Sequence, residues 1–167
     1  MKTCPYCGSG VETVDTYLYC AFCDLHLCVK DVQENGKRKN LLPESQPSYE
    51  DLKCTTPELM KKTTIELLFL LKFARAERSS IYGRRTVFIK AMKTGENDFT
   101  EGERYTYGEY EYWTRKCFVL ENLIRERIGY IPQKLTEPYL QNLVERINES
   151  TKKRMIIQQS TLVQNSL

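Results

Sequence analysis

The chain has 167 residues, with 25 Lys+Arg against 22 Asp+Glu, one His, seven Cys and a net charge of +3. Hydrophobic residues at 41% and charged residues at 28% suit a globular protein and argue against a disordered one. The longest apolar run, Leu67–Leu71, is followed at once by Lys72 and falls far short of the roughly 20 residues a bilayer span needs. The opening "MKTCPYCGSG" lacks an apolar signal-type segment. The expectation is a cytoplasmic protein that does not enter membranes, in a compartment where paired cysteines hold metal more often than they form disulfides.

The first elements in chain order are two C-x-x-C pairs, Cys4-Pro5-Tyr6-Cys7 and Cys20-Ala21-Phe22-Cys23, twelve residues apart. Two residues between cysteines let a tight turn aim both sulfurs at one point. Pro5 presets one backbone angle of the first turn, and Gly8 is free to take a positive φ just after it. Between the pairs, "VETV" and "TYLYC" alternate apolar and polar residues around Asp15 and Thr16, the pattern of a short hairpin. Two such turns carried on a hairpin make a four-sulfur tetrahedral site, which suits Zn²⁺ with bonds of about 2.3 Å.

"CPYCG" followed by "YLYCAFC" resembles a zinc ribbon, a small β-module with two cysteine knuckles, over about the first 30 residues. The resemblance implies a metal site at Cys4, Cys7, Cys20 and Cys23. It does not imply an activity, because ribbons occur in transcription factors, ribosomal proteins, polymerase subunits and enzymes alike. The second knuckle departs from the pattern by placing Asp24 where Gly is usual. His26 and Cys28 lie beyond it as rival ligands. Two complete pairs already close a site, so His26 is expected at the surface or beside the ligands, and Cys28 as a small packed side chain. Four thiolates leave no open position for water or substrate, which makes the Zn²⁺ structural.

Asn35-Gly36 favours a type I′ turn, and an added hairpin would carry Lys37, Arg38 and Lys39 at its tip. The stretch "PESQPSYEDLKCTTP" is proline-rich and polar, a linker. The expected organisation is a ribbon-like module over 1–42, a linker over 43–55, a helical domain over 56–150 and a flexible tail over 151–167.

Thr56-Pro57-Glu58 reads as a helix start, with Thr as cap and Pro at the first position, and good helix formers continue to Gly83. Apolar residues around Leu67–Phe73 cover nearly every side, so this helix packs on more than one face. Its strongly apolar surface also raises a homodimer. Lys61, Lys72 and Arg75 share one face, which Lys90 and Lys93 would join if the helix ran past Gly83. A second helix starts at either Thr100 or Thr106, both followed three residues on by Glu. It carries Tyr110, Trp113, Cys117, Leu120, Ile124 and Ile128 in one stripe and ends at Gly129. A third follows Thr136, with Tyr139, Leu140, Leu143, Val144 and Ile147 aligned. The fold class is therefore a small β zinc-binding module followed by an all-α domain of about three helices, as an antiparallel bundle or a helical hairpin with one added helix.

No Gly-rich phosphate loop, H-E-x-x-H or G-x-S-x-G is present, and Glu103, Glu109 and Glu111 are the one acidic group that could gather Mg²⁺. The expectation is a non-catalytic regulatory or adaptor protein that docks onto a protein partner, transcription machinery among the classes the resemblance raises. The alternative is a nucleic-acid binder using Lys37, Arg38 and Lys39 with the stripe of Lys61, Lys72 and Arg75. Residues 57–167 hold 19 Lys+Arg against 14 Asp+Glu, while residues 1–56 hold 6 against 8, a basic second part that permits this alternative without requiring it. In "RYTYGEYEYWTRK" four tyrosines and the tryptophan stand among basic residues, open to base stacking. Tyr110 and Trp113 lie on the core stripe, however, where aromatics supply packing area.

Overall fold

A computed structural model describes residues 1–95 and 97–157. Short antiparallel strands come first and a helical region with three long helices follows, the fold class expected from the sequence. The chain divides into two compact units, one built from Met1–Leu41 with the chain from Glu145 onward, the other from Leu42–Val144. Among the described residues no helix is long and apolar enough to cross a membrane.

In the first unit, β2 (Glu12–Val14), β3 (Tyr17–Cys20) and β4 (Leu25–Leu27) form an antiparallel three-stranded sheet. Asp15 takes φ 51° in the two-residue loop that joins β2 to β3. Strand periodicity sends Leu18 and Cys20 inward with Leu27, and these three with Cys4 make the unit's buried core. A second sheet pairs β1 (Lys2–Thr3) with β5 (Gln33–Glu34). Asn35 and Gly36 both take positive φ, 51° and 68°, and Lys37 N donates to Glu34 O at 3.0 Å, as a type I′ turn requires. The strand before this turn pairs with β1, however, and not with a strand after it. The buried Thr3 hydroxyl secures the arrangement by accepting from Gly36 N at 3.0 Å and donating to Gln33 O at 3.3 Å.

The second unit is organised by three successive capping boxes, in which a hydroxyl residue and an acid three residues later satisfy each other's backbone donors. Ser48 with Asp51 starts a 3-10 helix over Tyr49–Lys53, Thr55 with Glu58 starts α1 (Thr56–Lys61), and Thr63 with Glu66 starts α2 (Thr64–Lys93). The cap of α1 is thus Thr55, one residue before the expected Thr56. The single helix expected from residue 57 is in fact two, because Thr63 opens a new helix while Lys62 stays extended at φ −73°, ψ 152°. Arg127 donates to Met60 O and Lys62 O at 2.9 and 2.6 Å, satisfying carbonyls that the break leaves without helical partners. The segment expected as a linker contributes the fully buried Leu52.

Gly83 does not end α2, which continues to Lys93. A glycine inside a helix costs about 1 kcal/mol, and contacts with α3 (Thr100–Ile128) outweigh that cost: Arg85 pairs with Glu103 at 3.0 Å, and Phe88 lies against Gly102. Further along, Arg75 meets Glu121, so partner numbers fall on α2 as they rise on α3 and the helices are antiparallel. The start of α3 is Thr100; Thr106 sits inside the helix with its hydroxyl donating back to Gly102 O and Glu103 O. Gly129 ends α3 at φ 84°. Leu67, Leu70, Leu71, Ala74 and Ile81 of α2 pack in the core with Cys117, Leu120 and Ile124 of α3, all at 1% exposure or less. Trp113 joins them at 8%, while Ile128 reaches the surface at 36%. The apolar run that raised self-association is thus covered within the unit. Helix α4 (Glu137–Lys152) starts after Thr136 and buries Leu140 completely. Thr151 and Lys152 continue it, and residues 158–167 of the expected tail lie outside the described residues.

Asp51 serves as a box acid and also accepts from Lys62 Nζ at 2.8 Å. The ammonium, then the Ser48 amide, hold its carboxyl below the ordinary value of 3.8. A depressed carboxylate stabilises the fold above its unfolded pKa, and that stability is lost as pH falls through the folded value. Asp51→Asn is expected to cost a constant amount of stability above about pH 5, with the gap to the parent closing below about pH 4. Urea denaturation at a series of pH values measures it.

Candidate metal centre

The four Sγ atoms of Cys4, Cys7, Cys20 and Cys23 all lie within 4.8 Å of one another. Across the two knuckles Cys4 faces Cys23 at 3.9 Å and Cys7 faces Cys20 at 3.5 Å. A tetrahedron with bonds of about 2.3 Å has edges of about 3.8 Å, so the donor set and its spacing fit a metal ion. The two knuckles repeat one design. The first cysteine of each, Cys4 and Cys20, is fully buried, and the aromatic between the cysteines stands outward, Tyr6 at 70% and Phe22 at 80% exposure. One residue past each pair the backbone turns left-handed, at Gly8 with φ 78° and at Asp24 with φ 50°. Asp24 therefore fills the glycine's place. Asp is among the few residues that visit this region, and its carboxylate accepts from Tyr19 Oη at 2.7 Å.

Thiol crowding sets the local electrostatics. The Ser9 hydroxyl, and next the Ser9 amide, hold Cys7 down at about 6 against an ordinary 9.0. Cys23 is pushed up to about 12, first by its hydrogen bond with Cys7 and then by loss of solvent, and burial raises Cys20. One thiolate thus forms readily and is stabilised by neighbouring thiols, while further deprotonation sets like charges side by side. A cation at the centre removes that penalty, and its binding releases the remaining protons.

A strap from the far end of the chain crosses this cluster. Met155 N donates to Gly36 O at 2.8 Å, and Arg38 Nε donates to Lys153 O at 3.0 Å. Met155 lies so close that a Cβ on Gly8 would stand 2.6 Å from its carbonyl oxygen, and one on Gly36 2.8 Å. Both glycines are required twice, for positive φ and for close approach. This contact joins residues more than a hundred positions apart, and no local pattern announces it.

The remaining residues singled out from sequence fall into place separately. His26 and Cys28 are both exposed and outside the sulfur cluster. Cys28 is not the packed side chain expected, because β4 ends at Leu27 and Cys28 opens a 3-10 turn over Val29–Asp31. Cys117 is buried in the helical core, and burial raises its thiol. Lys37 and Lys61 are exposed. Lys39 pairs with Asp31 at 2.6 Å, and Lys72 with Glu137. Arg75 is the most committed, with Nη2 on Glu121 at 2.7 Å and Nη1 on the carbonyls of Pro132 and Gln133. Lys61 lies on α1, a different helix from Lys72 and Arg75, so the three form no single helical stripe. Among the described residues Glu103, Glu109 and Glu111 form no metal-ligating group; Glu103 pairs with Arg85 and Glu111 with Arg115.

Gly8→Ala is expected to weaken metal binding by about tenfold or more, the usual scale for residues that orient ligands. Gly36→Ala weakens it in the same direction through the strap. Gly108→Ala, on α3 with no neighbour within 4 Å, leaves it unchanged. Competition against a chromophoric chelator measures all three. Comparison with protein-family models, curated proteins and solved structures finds no match to this chain; the metal assignment rests on sulfur geometry and on the backbone of the two knuckles.

Proposed function

We propose that this chain is a non-catalytic regulatory or adaptor protein, whose ribbon-like head is built around one structural Zn²⁺ and which docks onto a protein partner. Transcription machinery is the partner class the ribbon resemblance brings forward. The observation that carries the reading is the closed sulfur quartet. Four thiolates complete a tetrahedron, and the neighbouring His26 and Cys28 stay out of it, so the ion has no position for a substrate. All-sulfur coordination at this spacing favours Zn²⁺ over the oxygen-seeking cations. Outside the head, aromatic and aliphatic side chains are exposed on the helices: Tyr105 at 69%, Val87 at 65%, Tyr82 at 56% and Phe118 at 54%. Apolar surface of this kind supports protein contact.

Nucleic-acid binding gains less support. Of the six cations expected to meet phosphate, Arg38, Lys39, Lys72 and Arg75 already hold partners within the chain. The exposed pair of Lys39 is cheaply broken, but freeing Arg75 would release the loop after α3.

Elemental analysis of purified protein is expected to return one zinc per chain, and a cobalt-substituted sample to give a tetrahedral all-thiolate spectrum. A coordinated water in that spectrum would remove the structural role. The partner complex is expected to survive a rise from about 50 mM to about 500 mM salt, conditions under which phosphate-driven affinity collapses. Retention of DNA or RNA at about 50 mM salt that vanishes over this range would transfer the assignment to nucleic acid.

A further inference from the structure

We infer that the outer face of the three-stranded sheet is a docking site for a cationic segment of a protein, one presenting arginine or lysine side chains to the rings of Tyr17, Tyr19 and His26. The inference rests on the docking reading above and names the chemistry of the partner. Strand register sets Glu12 opposite Tyr19, Val14 opposite Tyr17, and Tyr19 opposite His26. Alternation sends all five away from the core, because Leu18, Cys20 and Leu27 occupy the inward positions. The rings form one continuous group: His26 lies 5.2 Å from Tyr19 and 6.4 Å, edge-on, from Tyr17. Tyr17 is 55% and Val14 45% exposed.

A sheet with one wet face ordinarily covers it with polar and charged side chains. This one is covered mainly with rings and an aliphatic side chain. Its charge is also one-sided. From Thr3 to Val29 the chain has no Lys or Arg over 27 residues, although it carries 25 in all, and Glu12, Asp15 and Asp24 are the charged groups of that stretch. Asp24 is tied to the Tyr19 hydroxyl at 2.7 Å, which fixes the ring and places a carboxylate at its edge. Aromatic faces attract cations, and carboxylates at the rim strengthen that attraction and supply hydrogen-bond acceptors to a guanidinium. Single-stranded nucleic acid also seeks exposed rings, but there the rings are interleaved with cations that hold phosphate. Within residues 3–29 phosphates would meet acids alone.

The test uses the metal-loaded, ¹⁵N-labelled full chain and three probes of about nine units: alternating Arg-Gly, alternating Glu-Gly, and oligothymidylate. The Arg-Gly peptide is expected to shift amides of residues 12–27, and the other two to leave them in place. Tyr17→Ser and Glu12→Gln should each weaken the Arg-Gly peptide about fivefold, while Glu34→Gln, an acid on β5, leaves its affinity unchanged. His26→Ser provides a second exposed ring substitution should Tyr17→Ser disturb the metal content. The inference is overturned if residues 12–27 do not respond, if the ring variants bind as the parent does, or if oligothymidylate shifts the same amides. A silent sheet beside a salt-resistant partner complex would remove this site and leave the docking reading standing; loss of both would remove the reading as well.

Discussion

Convergence of four sulfurs on one point is the constraint on which the first unit depends. Its buried core consists of Cys4, Leu18, Cys20 and Leu27, and two of these four are members of the sulfur cluster. Val11 and Val32 pack against it only partly buried, and an apolar core this small is seldom sufficient for about forty residues. A cation bound by the cluster would add its binding free energy to folding. The strap through Met155 makes residues beyond α4 part of the same arrangement, since its backbone rests on a glycine of the first knuckle and on one in the turn after β5.

The helical unit meets a different requirement, the covering of a strongly apolar helix. Leu67–Leu71 are buried in succession, so α2 is covered on several sides at once. Side chains from α2 and α3 hold its connections. Arg75 closes the loop after α3, Arg127 caps the end of α1, and Lys116 Nζ donates to Cys54 O at 2.9 Å. These cations secure irregular backbone, where carbonyls would otherwise be left without donors. Reading Arg75 as part of a free basic stripe confuses where a residue lies on a helical wheel with what its side chain reaches.

What could be read from sequence was local. The two knuckles, the hairpin around Asp15, the left-handed pair Asn35-Gly36 and the Gly129 terminus each depend on neighbouring residues, and each appears in the structure. Thr63-x-x-Glu66 was readable too, but the strong apolar periodicity running through it concealed the break. Gly83 misled in the opposite sense, because a helix terminus depends on tertiary contact as well as on propensity. Asp24 shows that a left-handed position can be met without glycine. The burial of Leu52 in an apparently polar linker and the seating of Met155 on Gly8 are contacts across long sequence separation, and a single sequence carries no periodic trace of them.

Strand β3 ties these observations together. Over four residues it alternates Tyr17 and Tyr19 outward with Leu18 and Cys20 inward, so one face presents rings while the other delivers a sulfur to the cluster. Because side chains alternate with a period of two, a slip of one residue would exchange the faces and send Cys20 to solvent. The position of Cys20 thus pins the register, and the register decides which rings face outward. An ion held by the sulfur quartet would fix β3 in the phase that presents Tyr17, Tyr19 and His26 together, so the docking proposed for that face would depend on metal through the geometry of β3.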